Sequence, residues 1–347
     1  MSTEAAKPPP QANVSIESVL GVQQHNVWQR IVGAQSFWVT VALIVICLVM
    51  SWLQPASFAS SENFFNITRN FSFIGIMALG MTAVIATGGI DLSVGSIMGL
   101  TAVASGLVLE AGYPAWLAVL VGLAAGGVTG LINGLIIAYA GISPFVTTLG
   151  MLSIARSCAV VLSGNRMIYK FGEGGAAFKA FGSGSLDIGP NLQLSYPLLV
   201  LIVLTVIFAV VYKMTSWGRH VLAIGGNEQA SLLTGVPVNR IKVQVYVVSG
   251  LAASLAAILA VGWTGSAINA LGVTYELLAI SAAVIGGANL MGGEASAYGA
   301  FIGAALIFVI RNSLLMAGVD SNWQGTFVGV FLIAAVYLGK IRGAKRE

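Results

Sequence analysis

A chain of 347 residues with 57% hydrophobic and only 8% charged residues cannot cover a water-facing surface, where charged residues normally make up about 25%. With a mean hydropathy of +0.91, it belongs in lipid. The formal net charge of +4 is too small, and its Lys and Arg too scattered, to argue for a nucleic-acid partner.

Residues 1–35 read as a cytosolic N-terminal tail, either disordered or carrying a short interfacial helix at about 19–32; they contain no apolar core of signal-peptide type. A membrane-spanning domain follows over 36–343, with a short cytosolic end at 344–347. A span needs roughly 20 apolar residues. Candidate stretches run at about 37–54, 71–89, 93–110, 114–138, 145–163, 196–213, 243–262, 275–291, 295–316 and 323–340. The expected fold is an all-α polytopic membrane protein of about ten transmembrane helices.

Lys and Arg concentrate in two places: the tail "GKIRGAKRE", with Lys340, Arg342, Lys345 and Arg346, and the loop 213–242, with Arg219 and Arg240. The excess of Lys and Arg in cytoplasmic segments puts both on the cytosolic side of a ten-span chain, together with both termini. The loop 164–195 then lies outside.

The chain repeats itself. "GGIDLSVG" at 88–95 aligns without gaps on "GGANLMGG" at 286–293, matching Gly88 with Gly286, Gly89 with Gly287, Leu92 with Leu290 and Gly95 with Gly293. "LINGLIIAYAGIS" (131–143) resembles "VIRNSLLMAGVD" (309–320), pairing Asn133 with Asn312. Internal repeats with Gly-interrupted helices at matching positions are a transporter signature.

Within this frame Asp91 is the first polar candidate. A carboxylate at a break in a membrane helix is costly unless paired or hydrated. It precedes a helix start, so it reads either as an N-cap for the next helix or as a solute contact. Gly88 and Gly89 let the backbone break and let helices approach closely. Arg156 lies mid-span, where an arginine should face the bundle interior or water. Ser93, Asn133, Arg156, Asn289 and Asn312 join Asp91, Gly88 and Gly89 as candidate pathway or gate residues.

The loop 214–242 holds the most telling polar stretch. "NEQASLLTG" reads as a short helix capped by Asn227, entered through Gly226 and Glu228 and stopped by Gly235. Leu232 and Leu233 would form an exposed apolar face, which fits a docking partner or a helix lying on the membrane.

Some chemistry is missing. No G-x-x-x-x-G-K-[ST] is present to cradle ATP, and no H-E-x-x-H. Cys47 and Cys158 sit apart in apolar segments, and His25 and His220 lie far from each other, so neither a disulfide framework nor a metal cluster is expected.

The stretches "ALGMTAVIATGGIDLSVGSIMGL" (78–100), "SPFVTTLGMLSIARS" (143–157), "AIGGNEQASLLTGVPVNRIK" (223–242), "YELLAISAAVIGGANLMGG" (275–293) and "NWQGTFVGVFLIAAVY" (322–337) resemble the ribose/xylose/arabinose/galactoside family of ABC-importer permeases. The likeness runs in order over about 37–343. It implies a bacterial inner-membrane permease for a small sugar or polyol, working as a homodimer or a paired heterodimer in lipid. It also implies a separate cytosolic ABC ATPase that holds ATP and magnesium, so that this chain binds no cofactor and is not itself an enzyme, and a periplasmic sugar-binding protein. The loop 214–242 then resembles the family's coupling loop. Where the family often reads "YELDAIAA", this chain has Leu278 and Ser281. The rival reading is an ion-coupled secondary transporter, which would usually need more intramembrane carboxylates; an intramembrane enzyme is disfavoured because no second aspartate within a span pairs with Asp91.

Overall fold

The computed structural model describes residues 32–189, 192–323, 325–327, 329, 330 and 333. In chain order its helices are α1 (Gln35–Leu53), α2 (Ser61–Ala86), α3 (Val94–Glu110), α4 (Ala115–Tyr139), α5 (Pro144–Ser163) and α6 (Gly175–Ser183). The strands β1 (Ser185–Gly189) and β2 (Leu192–Ser195) follow. Then come α7 (Tyr196–Met214), α8 (Ser216–Gly226), α9 (Glu228–Leu233), α10 (Val238–Thr264), α11 (Tyr275–Ile285) and α12 (Ala297–Met316). Among the described residues, seven helices are long and apolar enough to cross a membrane, and α3 and α11 are shorter apolar helices. The N-terminal tail before residue 32, the basic C-terminal tail and most of the expected span 323–340 lie outside the described residues.

The chain is thus a polytopic helical membrane protein. Three details depart from expectation. First, α2 starts ten residues before the expected span, taking in the polar "SENFFNITRN". It can do so because its polar residues are partnered. The Ser60 hydroxyl accepts from the Asn63 amide, Asn63 and Asn312 exchange side-chain hydrogen bonds, and the Arg69 guanidinium lies 4.2 Å over the Trp263 ring. Second, the expected span 275–291 is helical only over α11, about 16 Å at 1.5 Å per residue. Third, the loop 164–195 contains α6 and an antiparallel hairpin of β1 and β2, a small addition to an otherwise helical fold.

α2 is almost wholly enclosed, and α10 and α12 are mainly enclosed, whereas α1, α4, α5 and α7 are largely uncovered. The uncovered face of α4 is Leu120, Val128, Leu131, Ile132 and Leu135, with Trp116 and Tyr139 near its ends. That is a lipid-facing pattern with interfacial aromatics.

The opposite face of α4 carries Gly122, Gly126, Gly130 and Gly134, one per turn. A Cβ on Gly126 would lie 1.8 Å from Ser254 Oγ, on Gly130 2.3 Å from the Tyr246 carbonyl oxygen, and on Gly134 2.7 Å from Val243 Cα. With no hydrophobic force between helices in lipid, close packing and interhelical hydrogen bonds drive association. Bare glycines let α4 and α10 meet backbone to backbone. Asn133, between Gly130 and Gly134 on α4, is fully buried.

Candidate functional site

Both Gly-rich breaks stop a helix in the same way. At the end of α2, the Gly88 amide donates to the Ile85 carbonyl and the Gly89 amide to that of Val84; Gly88 has φ +78°. At the end of α11, the Gly287 amide donates to Val284 and the Ala288 amide to Ala283; Gly287 has φ +105°. Each is a left-handed stop in which two otherwise orphaned carbonyls are satisfied. Next, Asp91 Oδ1 accepts from the Ser93 amide (3.0 Å) and Asn289 Oδ1 from the Met291 amide (3.0 Å). The gapless alignment of the two segments therefore matches the second turn residue for residue, while the helix stops differ by one residue.

The breaks then diverge. The first reaches α3 within a few residues, with Gly88 exposed but Gly89, Asp91 and Ser93 buried. The second runs over 286–296 before α12, and Asn289 is exposed. The expectation that Asp91 is the N-cap is corrected: Ser93 holds the capping position and makes no side-chain cap bond, while Asp91 reaches its amide from two residues earlier.

Asp91 is the centre of a buried polar knot. Its Oδ1 also accepts from the Ser93 hydroxyl (2.6 Å), and its Oδ2 accepts from the Ser249 hydroxyl on α10 (2.8 Å). The Asn133 side-chain amide donates to Ser93 Oγ (2.9 Å). Asp91, Ser93, Asn133, Ser249 and Tyr246 are all buried. A buried carboxylate is tolerable when donors converge on it; here there are three, and the N-terminus of α3 adds favourable dipoles. Two polar atoms of the knot, Asn133 Oδ1 and the Tyr246 hydroxyl, have no hydrogen-bond partner among the described residues. Tyr246 fills the space over Gly89, where a Cβ would stand 2.5 Å from its hydroxyl.

The two breaks also touch each other, and the segment after α7 touches both. The Gly293 amide donates to the Ala86 carbonyl at the end of α2 (3.0 Å). A Cβ on Gly225, in the last turn of α8, would lie 1.9 Å from that same Ala86 oxygen and 2.3 Å from the Gly293 nitrogen. Three backbones thus converge where only glycine fits. The Gln35 side chain, at the start of α1, donates to the Val284 and Ile285 carbonyls at the end of α11. The start of α1, both breaks and α8 therefore share one end of the bundle.

Beyond that joint, the Asn227 side chain accepts from the Ala230 amide (2.9 Å) at the head of α9, and Gly235 takes φ +82° just past its end. Leu232 and Leu233 are exposed, Leu233 at 90%. A Glu228–Lys242 ion pair (2.7 Å) ties α9 to α10; being partly exposed, such a pair adds at most about 1 kcal/mol. Gly226 closes α8 against Gly293. α8 itself, before the expected short helix, was not foreseen in the sequence.

Arg156 faces the interior, but its partners are carbonyls. It donates to those of Asn269, Leu271 (3.1 Å) and Gly95 (3.1 Å). The first two belong to the non-helical segment between α10 and α11. This segment packs along α3: Cβ atoms on Gly99 and Gly106 would meet the Asn269 carbonyl and Ala267. Irregular backbone at membrane depth survives only when protein satisfies it, and Arg156 does so. It also explains the short α11, whose approach is made by this segment. Glu276 stands half-buried against Gly95, near enough to Arg156 for the charges to interact. Leu278 is buried in the core, and the Ser281 hydroxyl donates to the Leu277 carbonyl of its own helix.

The candidate residues therefore separate. Gly88, Gly89, Asp91, Ser93 and Asn133 come together. Asn289 lies in the second break, on the surface. Asn312 pairs with Asn63 near the start of α2, roughly 35 Å along that helix from Gly88. Ser249 and Tyr246 were missed, since a serine and a tyrosine in an apolar helix carry no local signal. Their spacing of three residues, which puts them on one helix face, was the available hint.

Residues 63–336 match the family described as branched-chain amino acid transport system / permease component. The chain belongs to this permease family. It is similar to the ribose import permease protein RbsC of Escherichia coli K12, at 38% identity over 85% of this chain and 91% of the relative. The RbsC of Haemophilus influenzae is 34% identical over 88% and 93%. The autoinducer 2 import system permease protein LsrD of Escherichia coli O9:H4 is 38% identical over 78% and 81%. No solved structure matches the chain. The permease is accordingly a multi-pass membrane protein with a transport role.

Proposed function

We propose that this permease is the membrane-spanning subunit of an ATP-driven importer for a small sugar or polyol in the bacterial inner membrane. The relatives' names, ribose and autoinducer 2, support the solute class. In this reading a cytosolic ABC ATPase holds ATP and magnesium and hydrolyses it, and this chain binds no nucleotide. A periplasmic binding protein delivers the solute, and a second permease copy, identical or paired, completes the pathway. The loop 214–242 and both termini face the cytosol.

The observation that carries the proposal is the joint at Gly225. The exposed leucines of α9 offer the ATPase an apolar foothold. One short turn away, α8 bears directly on the end of α2 and on the second break at Gly292 and Gly293. Movement of α9 with the closing ATPase would be passed through α8 to both breaks at once, with Gly88 and Gly287 as the hinges. The Asp91–Ser249 and Asn133–Ser93 bonds hold the first hinge in register with α10 and α4. Along such a path, contacts to the solute need only be weak and polar, because tight binding would prevent release.

The test is reconstitution. Proteoliposomes with permease and ATPase, supplied with the binding protein and ribose on one side, should accumulate ribose only when ATP is present on the ATPase side. Uptake that survives ATP depletion and collapses with an uncoupler would refute the proposal in favour of ion coupling.

A further inference from the structure

The hairpin between α6 and α7 sorts its side chains by chemistry. Leu186 pairs with Leu194 and Asp187 with Gln193. Paired residues share a face, and successive residues alternate, so the leucines lie on one side and Asp187 and Gln193 on the other. The register slips between Asp187 and Gly189. Ile188 is then the extra residue opposite Leu192, and both join the leucine side.

At the base of the hairpin this apolar side rests on protein, where Leu194 packs against the core. Farther out it is bare: Leu186, Ile188 and Leu192 are 50%, 56% and 42% exposed. Three large aliphatic side chains on one face of a short ribbon need a cover.

The surroundings indicate which cover. β2 runs into α7 without a linker, and the Ser195 hydroxyl accepts from the Leu198 amide to cap that helix. α7 presents Ile202, Val203, Val206, Ile207 and Val210 outward, a lipid-facing surface. Tyr196, at its first turn, is exposed, as interfacial aromatics are. The hairpin thus sits at the rim of the bundle where a lipid-facing helix enters the bilayer. It lies at the opposite end of α7 from α8, roughly 28 Å away.

We infer that the apolar side of this hairpin is a membrane-contact surface: Leu186, Ile188 and Leu192 lie in the headgroup–acyl boundary of that leaflet, with Asp187 and Gln193 towards water. The occupant is lipid, and the ribbon fixes the depth at which α7 begins. The inference rests on the membrane fold and is independent of the transported solute.

Single nitroxide labels on cysteines at 186, 188, 192, 187 and 193, with Cys47 and Cys158 replaced, provide the test. The permease is reconstituted with its ATPase in vesicles of phosphatidylethanolamine and phosphatidylglycerol. Collision rates are measured with oxygen, which partitions into lipid, and with a water-soluble nickel chelate. The oxygen-to-nickel ratio should be several-fold higher at 186, 188 and 192 than at 187 and 193. Equal ratios on both sides would overturn the inference. So would immobilised spectra with both collision rates low at 186, 188 and 192, which would mean that a second permease copy or another protein covers the face.

Discussion

Gly225→Ala tests the joint with one methyl group. Its Cβ would lie 1.9 Å from the Ala86 oxygen, 2.3 Å from the Gly293 nitrogen and 2.9 Å from Gly292 Cα. All three are backbone atoms, so no side chain can rotate away. Restoring ordinary contact means parting α8 from the two breaks by roughly 1.5 Å in a close-packed interior. Such overpacking costs about 1–3 kcal/mol. Loss of the Gly293-to-Ala86 hydrogen bond adds about 1 kcal/mol, which the better helix propensity of alanine offsets by a similar amount. The net loss of about 1–3 kcal/mol corresponds to roughly 5- to 150-fold in an equilibrium. Gly226→Ala is the control, since its Cβ would meet nothing within 4 Å among the described residues. The assay is the initial rate of ATP-dependent ribose uptake in proteoliposomes at matched incorporation, with the melting temperature of each variant alongside. Gly225→Ala should lose at least about fivefold in rate or melt measurably lower, and Gly226→Ala should match the parent. Wild-type rate and melting in Gly225→Ala would refute the packed joint; so would equal losses in both variants, which would point to the helix end itself.

The other predictions concern the knot, the non-helical segment between α10 and α11, the docking helix and the topology. Asp91→Asn should keep substantial uptake, because its Oδ1 can still accept from Ser93 and its amide can donate to the Ser249 hydroxyl. Asp91→Leu should lose far more, stranding three buried donors at about 1–3 kcal/mol each; abolished uptake in Asp91→Asn with normal assembly would show that the charge itself is needed. Arg156→Met should lower the melting temperature by releasing three carbonyls, with Arg156→Lys recovering only part because an ammonium lacks the guanidinium fork; a lysine variant as stable as the parent would rule out the fork. Leu233→Asp should insert normally yet fail to co-purify the ATPase, and full co-purification with normal transport would remove α9 from the docking surface. With the native cysteines replaced, a cysteine at Ser183 should react with an impermeant reagent on intact cells and one at Gln229 only after permeabilisation; the reverse would invert the orientation.

Much of this architecture is local and was therefore legible in the sequence. Long apolar stretches can be satisfied only by lipid, so the spans from α3 to α7 fall within a residue or two of where hydropathy puts them. Gly-Gly followed by Asp or Asn announces a helix stop and a turn because those residues adopt such backbones at little cost. Asn227, Glu228 and Gly235 mark α9 for the same reason. What hydropathy could not provide is pairing at long range. Polar residues extend α2 because Asn312 and Trp263 wait for them. α11 is short because its approach is a non-helical segment, which Arg156 makes tolerable inside the bundle. Asp91 meets Ser249, 158 residues away, where α10 packs so closely on α2 that a Cβ on Gly80 would stand 3.0 Å from Ser249 Cα. The meeting of Gly225 with both breaks belongs to the same class. Which groups a buried carboxylate finds, and which backbones touch, depend on how helices cross, and that was decided by the tertiary structure alone.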